Sequence, residues 1–195
     1  MTQSCFLTRI IWDGDDHYLL WKDEGENPDH FLMNKDGGIF VGMSLTSASQ
    51  FARSLGEEVD ADDVSVFDFD RLWTLLRRNW TNPAFDASEY KIILDAWNLL
   101  EDMARSLRIT LIPQEEDRSL IQSIYEQVFT CAKVLGTDDQ NMPDDTRKEI
   151  LRVTSYRSAE SDCSELTSER ARVAQAFLEN AWGAIRGDKR WRESA

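Results

Sequence analysis

Seven carboxylates stand between Glu57 and Asp70 in the run EEVDADDVSVFDFD, and no Lys or Arg interrupts them. Acids at that density suit three kinds of chemistry: sharing protons in acid–base catalysis, ligating a hard cation, or meeting positive charge on another molecule. Proton sharing needs two acids held in unlike environments within a cleft. Asp60, Asp62, Asp63, Asp68 and Asp70 offer many such pairs, and no sequence signal selects one of them. Cation binding has one near match. Asp13, Asp15 and His17 occupy positions 1, 3 and 5 of a twelve-residue window that closes on Glu24, which is the spacing of an EF-hand loop. Position 6 of that window is Tyr18 where such loops need glycine, and Leu19, Leu20 and Trp21 read as strand. An acidic turn between strands accounts for these residues, and no metal ligand set is assigned.

Nucleophilic chemistry finds little support. A Ser or Cys nucleophile requires a nearby base, and the two histidines, His17 and His30, both lie in the strand-rich N-terminal part, away from any G-x-S-x-G elbow. Neither G-x-x-x-x-G-K-[ST] nor G-x-G-x-x-G occurs, and Gly37-Gly38 suits a hairpin turn. Cys5, Cys131 and Cys163 are odd in number and widely separated, which fits reduced structural thiols better than disulfides or zinc. The expectation is therefore a protein that is not an enzyme, with no catalytic residues, no cofactor and no metal.

Meeting positive charge remains. Residues 1–70 contain 15 acids and 4 bases, whereas residues 71–195 contain 21 and 18, so the net charge of -14 is concentrated in the first part of the chain. Regional acidity of this kind costs stability through self-repulsion and steers a basic partner toward the surface that carries it. The candidate partner-binding residues are Glu57, Glu58, Asp60, Asp62, Asp63, Asp68 and Asp70, with Asp15 and Asp16 as a second loop. Phe67, Phe69 or Tyr18 would add contact area; the alternation of Phe67 and Phe69 with acids instead predicts core positions for the two rings, with Asp68 and Asp70 exposed opposite them. With a pI near 4.5, nucleic acid and anionic membranes are excluded as partners, because phosphate binding draws on clustered cations. The opening MTQSCFLTRIIWDGDD has neither a basic start nor a long apolar stretch, and nowhere do about 18 apolar residues run together, so a cytoplasmic protein is expected.

These residues need a scaffold. Phe6 to Trp12, His17 to Lys22, Phe31 to Asn34 and Ile39 to Val41 read as a strand meander broken by Gly- and Asp-rich turns. A short helix is predicted from Thr46, capped by Thr46 or Ser47 and stopped at Gly56, and Val64 to Phe67 then reads as a further strand. Beyond residue 70 the apolar spacing becomes helical, with Asp86 and Glu89 forming a capping box before a helix over Tyr90 to Leu107. Further helices are predicted around Leu120 to Leu135, Thr146 to Thr154 and Thr167 to Ile185, with a Ser-rich link at Ser155 to Ser164; Trp73, Trp97 and Trp182 fall on apolar stripes as core residues. The fold class is α+β: a small N-terminal antiparallel sheet (the strand-rich acidic region, residues 1–70) packed against a larger helical half (71–195), as one continuous structural unit.

Three stretches together, the meander HYLLWKDEGENPDHFLMNKDGGIFVGMSL, the DFD segment at Phe67 to Asp70, and LDAWNLLEDMARSL with IYEQVF at residues 94–107 and 124–129, resemble small acidic immunity proteins of bacterial contact-dependent inhibition and polymorphic toxin systems. The resemblance covers about residues 5–130 by pattern. It implies a protein that binds and neutralises a cognate toxin domain, a basic nuclease in the first instance, with the acidic segment as the toxin-facing surface. The competing readings are a small enzyme, hydrolytic or metal-dependent, built on clustered carboxylates, and a non-enzymatic adaptor that uses the helical half.

Overall fold

A computed structural model describes residues 4–23, 29–80, 85–112, 115–136 and 167–188. The helix predicted over Thr146 to Thr154, the Ser-rich link, Cys163, Glu24 and the basic tail around Trp191 lie outside the described residues, as do the side chains of Asp60, Asp62 and Asp63.

Two long strands, β1 (Ser4–Trp12) and β2 (Asp15–Asp23), form a hairpin in register from Ser4 opposite Asp23 to Trp12 opposite Asp15. Its two-residue turn is Asp13-Gly14, both at positive φ (52° and 79°), the left-handed pair that matches the twist of a hairpin. A short β3 (His30–Phe31) pairs with β2, and the predicted third and fourth strands shrink beyond it to single bridges, Met33 to Ile39 and Tyr18 to Gly42. Helix α1 (Leu45–Ser54) follows, then β4 (Val59–Asp68), which returns to lie parallel to β1. The sheet order is β3-β2-β1-β4, so the sheet is mixed and not wholly antiparallel. The α1 crossover is the reason: a strand reached through a helix can return in the same direction as the strand it joins.

The helical half comprises α2 (Phe69–Leu76), α3 (Ala87–Ser106), α4 (Glu115–Gly136) and α5 (Ser168–Gly187). Asp86 accepts from Glu89 N at 2.9 Å while the Glu89 carboxylate accepts from Asp86 N at 3.2 Å, which is the predicted box. The residue that caps helix α1 is Ser44, in extended conformation and reciprocal with Ser47, two residues before Thr46, the first of the two caps expected. Helix α3 is central: Trp97, wholly buried, stacks on Phe177 of α5 with ring centroids 4.4 Å apart and contacts Tyr125 of α4. Trp182 is also buried, between Trp12 and Phe69. Trp73 is not a core residue. The buried stripe of α2 is Phe69, Leu72, Leu75 and Leu76, and at 3.6 residues per turn Trp73 sits roughly 90° away, where it is 37% exposed under the Arg77 guanidinium.

Both faces of the sheet are used. Leu19, Ile10 and Phe67 point toward α2, α3, α4 and α5 in the main core, while Cys5, Leu7, Leu20 and Val64 point the other way and pack with Ala48, Ala52 and Phe51 of α1. The result is three layers, α1 over the sheet over the helical half, and the fold is α+β.

Candidate functional site

Because β2, β1 and β4 run side by side, their outward side chains form rows across the outer face. Register fixes four of them: Lys22–Cys5–Val59, Leu20–Leu7–Val64, Tyr18–Arg9–Val66 and Asp16–Ile11–Asp68. Helix α1 packs on the first two. The last two lie beyond it, except that Tyr18 also packs against the cluster under α1. Val66 is 49% exposed, Ile11 and Tyr18 are partly exposed, and Met43, in the segment that leads from the Tyr18 bridge to α1, is 56% exposed.

The outermost row alternates acidic and apolar groups, and the row beside it is apolar at both ends with a cation between them. Asp16 and Asp68 flank Ile11, and the hairpin tip adds Asp13 and Asp15, both exposed. Arg9 is the cation within these rows; its Nε is buried and lies 3.6 Å from the Asp16 carboxylate, too far for a hydrogen bond, with no hydrogen-bond partner among the described residues. Two acidic stretches more than fifty residues apart in sequence are thus brought together. The join is explicit: Asp70 accepts from the backbone N–H groups of Asp13 at 2.8 Å and Gly14 at 2.9 Å, so its carboxylate clamps the turn that carries Asp15 and Asp16.

The sequence-predicted acids divide among several duties. Asp68 caps α2 by accepting from Arg71 N at 2.8 Å, and both Asp68 and Asp70 are half-buried rather than freely exposed, since the strand ends at Asp68 and the expected alternation with Phe67 and Phe69 stops there. Phe69 is buried as the first residue of α2, and Phe67 is half-buried against the main core. Glu57 lies at the opposite end of the sheet and accepts from Lys22 Nζ at 2.5 Å. Glu58 beside it is exposed. Between them and the open rows, β4 advances from Val59 to Val64 while β1 advances only from Cys5 to Leu7, so Asp60, Asp62 and Asp63 fall in a bulge of the strand. Sequence reasoning missed Arg9, Ile11, Val66 and Met43. Period-2 alternation in β1 carried the first two, but the length of α1, which decides which rows stay open, is not encoded in the strands themselves.

Other concave features have less convergent chemistry. A cavity of about 370 Å³ beside α4 is lined by Trp97, Glu101, Arg118, Ser119 and Tyr125, with no imidazole or thiol among its described lining residues. Burial and then the Glu101 charge raise the Tyr125 phenol, which donates to Asn98 Oδ1 at 2.9 Å. Burial likewise raises Asp102, against the opposing hydrogen bond and charge of Arg105. Asp102 belongs to the brace that fastens β3 to α3, in which Ser106 Oγ accepts from Phe31 N and donates to the Asp102 carbonyl. Among the described residues no group of three His, Cys, Asp or Glu side chains is placed to hold a metal ion, and no helix is long and apolar enough to cross a membrane. Comparison with protein-family models, curated proteins and solved structures gave no match.

Proposed function

We propose that this chain is a stoichiometric binding protein for a basic protein domain, and that the open half of its outer sheet face, Tyr18–Arg9–Val66 and Asp16–Ile11–Asp68, is the binding surface. The observation that carries this reading is the juxtaposition of exposed apolar side chains with two acidic stretches on a rigid sheet. An apolar patch with a charged rim is the usual anatomy of a protein interface, where the centre supplies affinity and the rim supplies rate and specificity. Asp15, Asp16 and the bulge acids Asp60, Asp62 and Asp63 steer the partner; Ile11, Val66, Met43 and Tyr18 supply contact area. A complex of standard size buries about 1,200–2,000 Å², more than these rows alone, so the hairpin tip and the β4 edge belong to the footprint.

The sequence resemblance supports the more specific reading of a cytoplasmic immunity protein that neutralises a toxin domain, a basic nuclease in the first instance, by covering its active-site cleft. Carboxylates then occupy the places of substrate phosphates opposite Lys and Arg of the toxin. The test is co-purification with the product of the adjacent upstream gene, followed by toxicity of that product with and without this chain. The expected result is a one-to-one complex and protection. Reversing charge at Asp16, or at Asp62 with Asp63, should slow association by about tenfold or more at low salt and flatten its salt dependence. An unchanged association rate in both variants rejects the assignment of these acids.

A further inference from the structure

The sheet ends at β4, and among the described residues no strand lies on its outer side. Exposed strand edges are normally blunted, because they template pairing with another chain. Here the blunting is partial: the acid-bearing bulge interrupts the first half of β4, whereas Val64 to Asp68 runs regularly against Leu7 to Ile11, with Ser65 and Val66 exposed. Alongside this regular stretch lies a groove of about 270 Å³ between β4 and α3, with Phe67, Ile92 and Ala96 on its apolar side and Arg71, Lys91 and Asp95 at its rim. Asp68 lines the groove as well, so two cations and two carboxylates face it. Lys91 Nζ reaches Asp95 at 2.6 Å, and Arg71 donates to Ser88 Oγ at 3.0 Å.

We infer that the Val64–Asp68 edge and the groove beside it form a strand-addition site for an extended segment of the partner, with basic and apolar residues in alternation. The inference rests on the binding function proposed above and specifies how the partner engages. A fifth strand beside β4 would extend each row by one residue. Side chains of one parity continue the open rows next to Val66 and Asp68, where an acid directly across favours Lys or Arg. Side chains of the other parity turn toward α3 and enter the groove beside Phe67, where the balanced rim and apolar lining favour Val, Ile or Leu. Main-chain pairing supplies affinity, and the alternation of the two environments supplies specificity.

The probes are two fluorescein-labelled heptapeptides of one composition, Lys-Val-Lys-Val-Lys-Val-Lys and Lys-Lys-Lys-Lys-Val-Val-Val, titrated into the full chain and followed by fluorescence anisotropy. The expected result is at least tenfold tighter binding of the alternating peptide, and loss of that preference in Lys91→Trp. Lys91 is an exposed helix position, so its replacement fills the groove without touching the core. It also removes a positive charge, which by itself would strengthen binding of a basic peptide, so a loss opposes the electrostatic trend. Equal binding of the two peptides, or binding of neither, overturns strand addition, as does a preference that survives Lys91→Trp. Equal and salt-sensitive binding leaves the acidic-face reading intact, which fails separately if charge reversal at Asp16, and at Asp62 with Asp63, leaves partner association unchanged.

Discussion

The two halves of the outer sheet face share strands, pleat and register, yet one is covered by a helix and the other is largely open. Under α1 the rows read Lys22–Cys5–Val59 and Leu20–Leu7–Val64, apolar or internally paired, and Leu7 and Leu20 are fully buried. Beyond α1 the rows read Tyr18–Arg9–Val66 and Asp16–Ile11–Asp68, and Val66 is half exposed. Strand geometry is indifferent to this change, since a pleated surface only sets which residues share a face. What differs is the lid. Helix α1 is ten residues long, about 15 Å at 1.5 Å per residue, and its first turn lies close against Gly42: a side chain there would meet Ser47 Oγ at 2.7 Å, so the close approach of the two segments depends on glycine. The covered half is part of the core, and the open half is the surface to which the proposed binding function is assigned.

The sharpest way to break that division is to truncate equivalent positions in neighbouring rows. Leu7→Ala should cost about 2–5 kcal/mol, the range for a buried leucine that leaves a cavity. Val66→Ala, one row over on β4, should change stability by less than about 0.5 kcal/mol, as surface substitutions do. Urea denaturation of both variants checks the pair, and equal losses would mean that the open rows are part of the core. A smaller effect is expected where the acidic stretches join. Asp70→Ala removes the acceptor for two N–H groups of the hairpin turn and should cost about 1–2 kcal/mol, given that hydrogen bonds to charged groups are the stronger kind. Asp68→Ala removes a helix cap and should cost about 1 kcal/mol. If both losses are near zero in thermal melts, these carboxylates are free for a partner in the way the sequence alone suggested.

That contrast also marks how far the sequence could be read. The α3 helix and its Asp86–Glu89 box were legible because capping is local: the donor and acceptor lie three residues apart and the apolar spacing follows at once. The hairpin turn region, the helical second half and the burial of Trp97 and Trp182 were legible for similar reasons. Long-range partners were not. Asp70 reads as one more acid in a run, and only the approach of the β1–β2 turn to the start of α2 makes it a clamp. Asp68, Asp70 and Trp73 show the same limit: Phe69 is buried as strand parity predicts, but the chain is already helix there, so the two acids are half-buried and the α2 stripe turns Trp73 outward. The parallel placement of β4 depends on a crossover that no single segment encodes.

The smallest expected effect tests whether the covered end is closed. Cys5 shares its row with Lys22 and Val59; burial raises its thiol to about 11, the Glu57 carboxylate adds to the rise and Lys22 opposes it. From the ordinary value of 9.0 up to about 11 the unfolded chain releases this proton while the folded chain keeps it, so the unfolded state binds fewer protons and stability falls as pH rises through that window. Alkylation follows the thiolate, so at pH 8 only about one Cys5 in a thousand is reactive in the fold. Iodoacetamide labelling read by mass spectrometry across pH 8–11 should therefore show Cys5 lagging an unfolded control. Glu57→Gln removes one raising charge and leaves Lys22 without its 2.5 Å partner, and both changes move the profile to lower pH; Lys22→Gln moves it higher. If neither substitution shifts the profile, the ion pair does not seal this row, and burial under α1 alone protects the thiol.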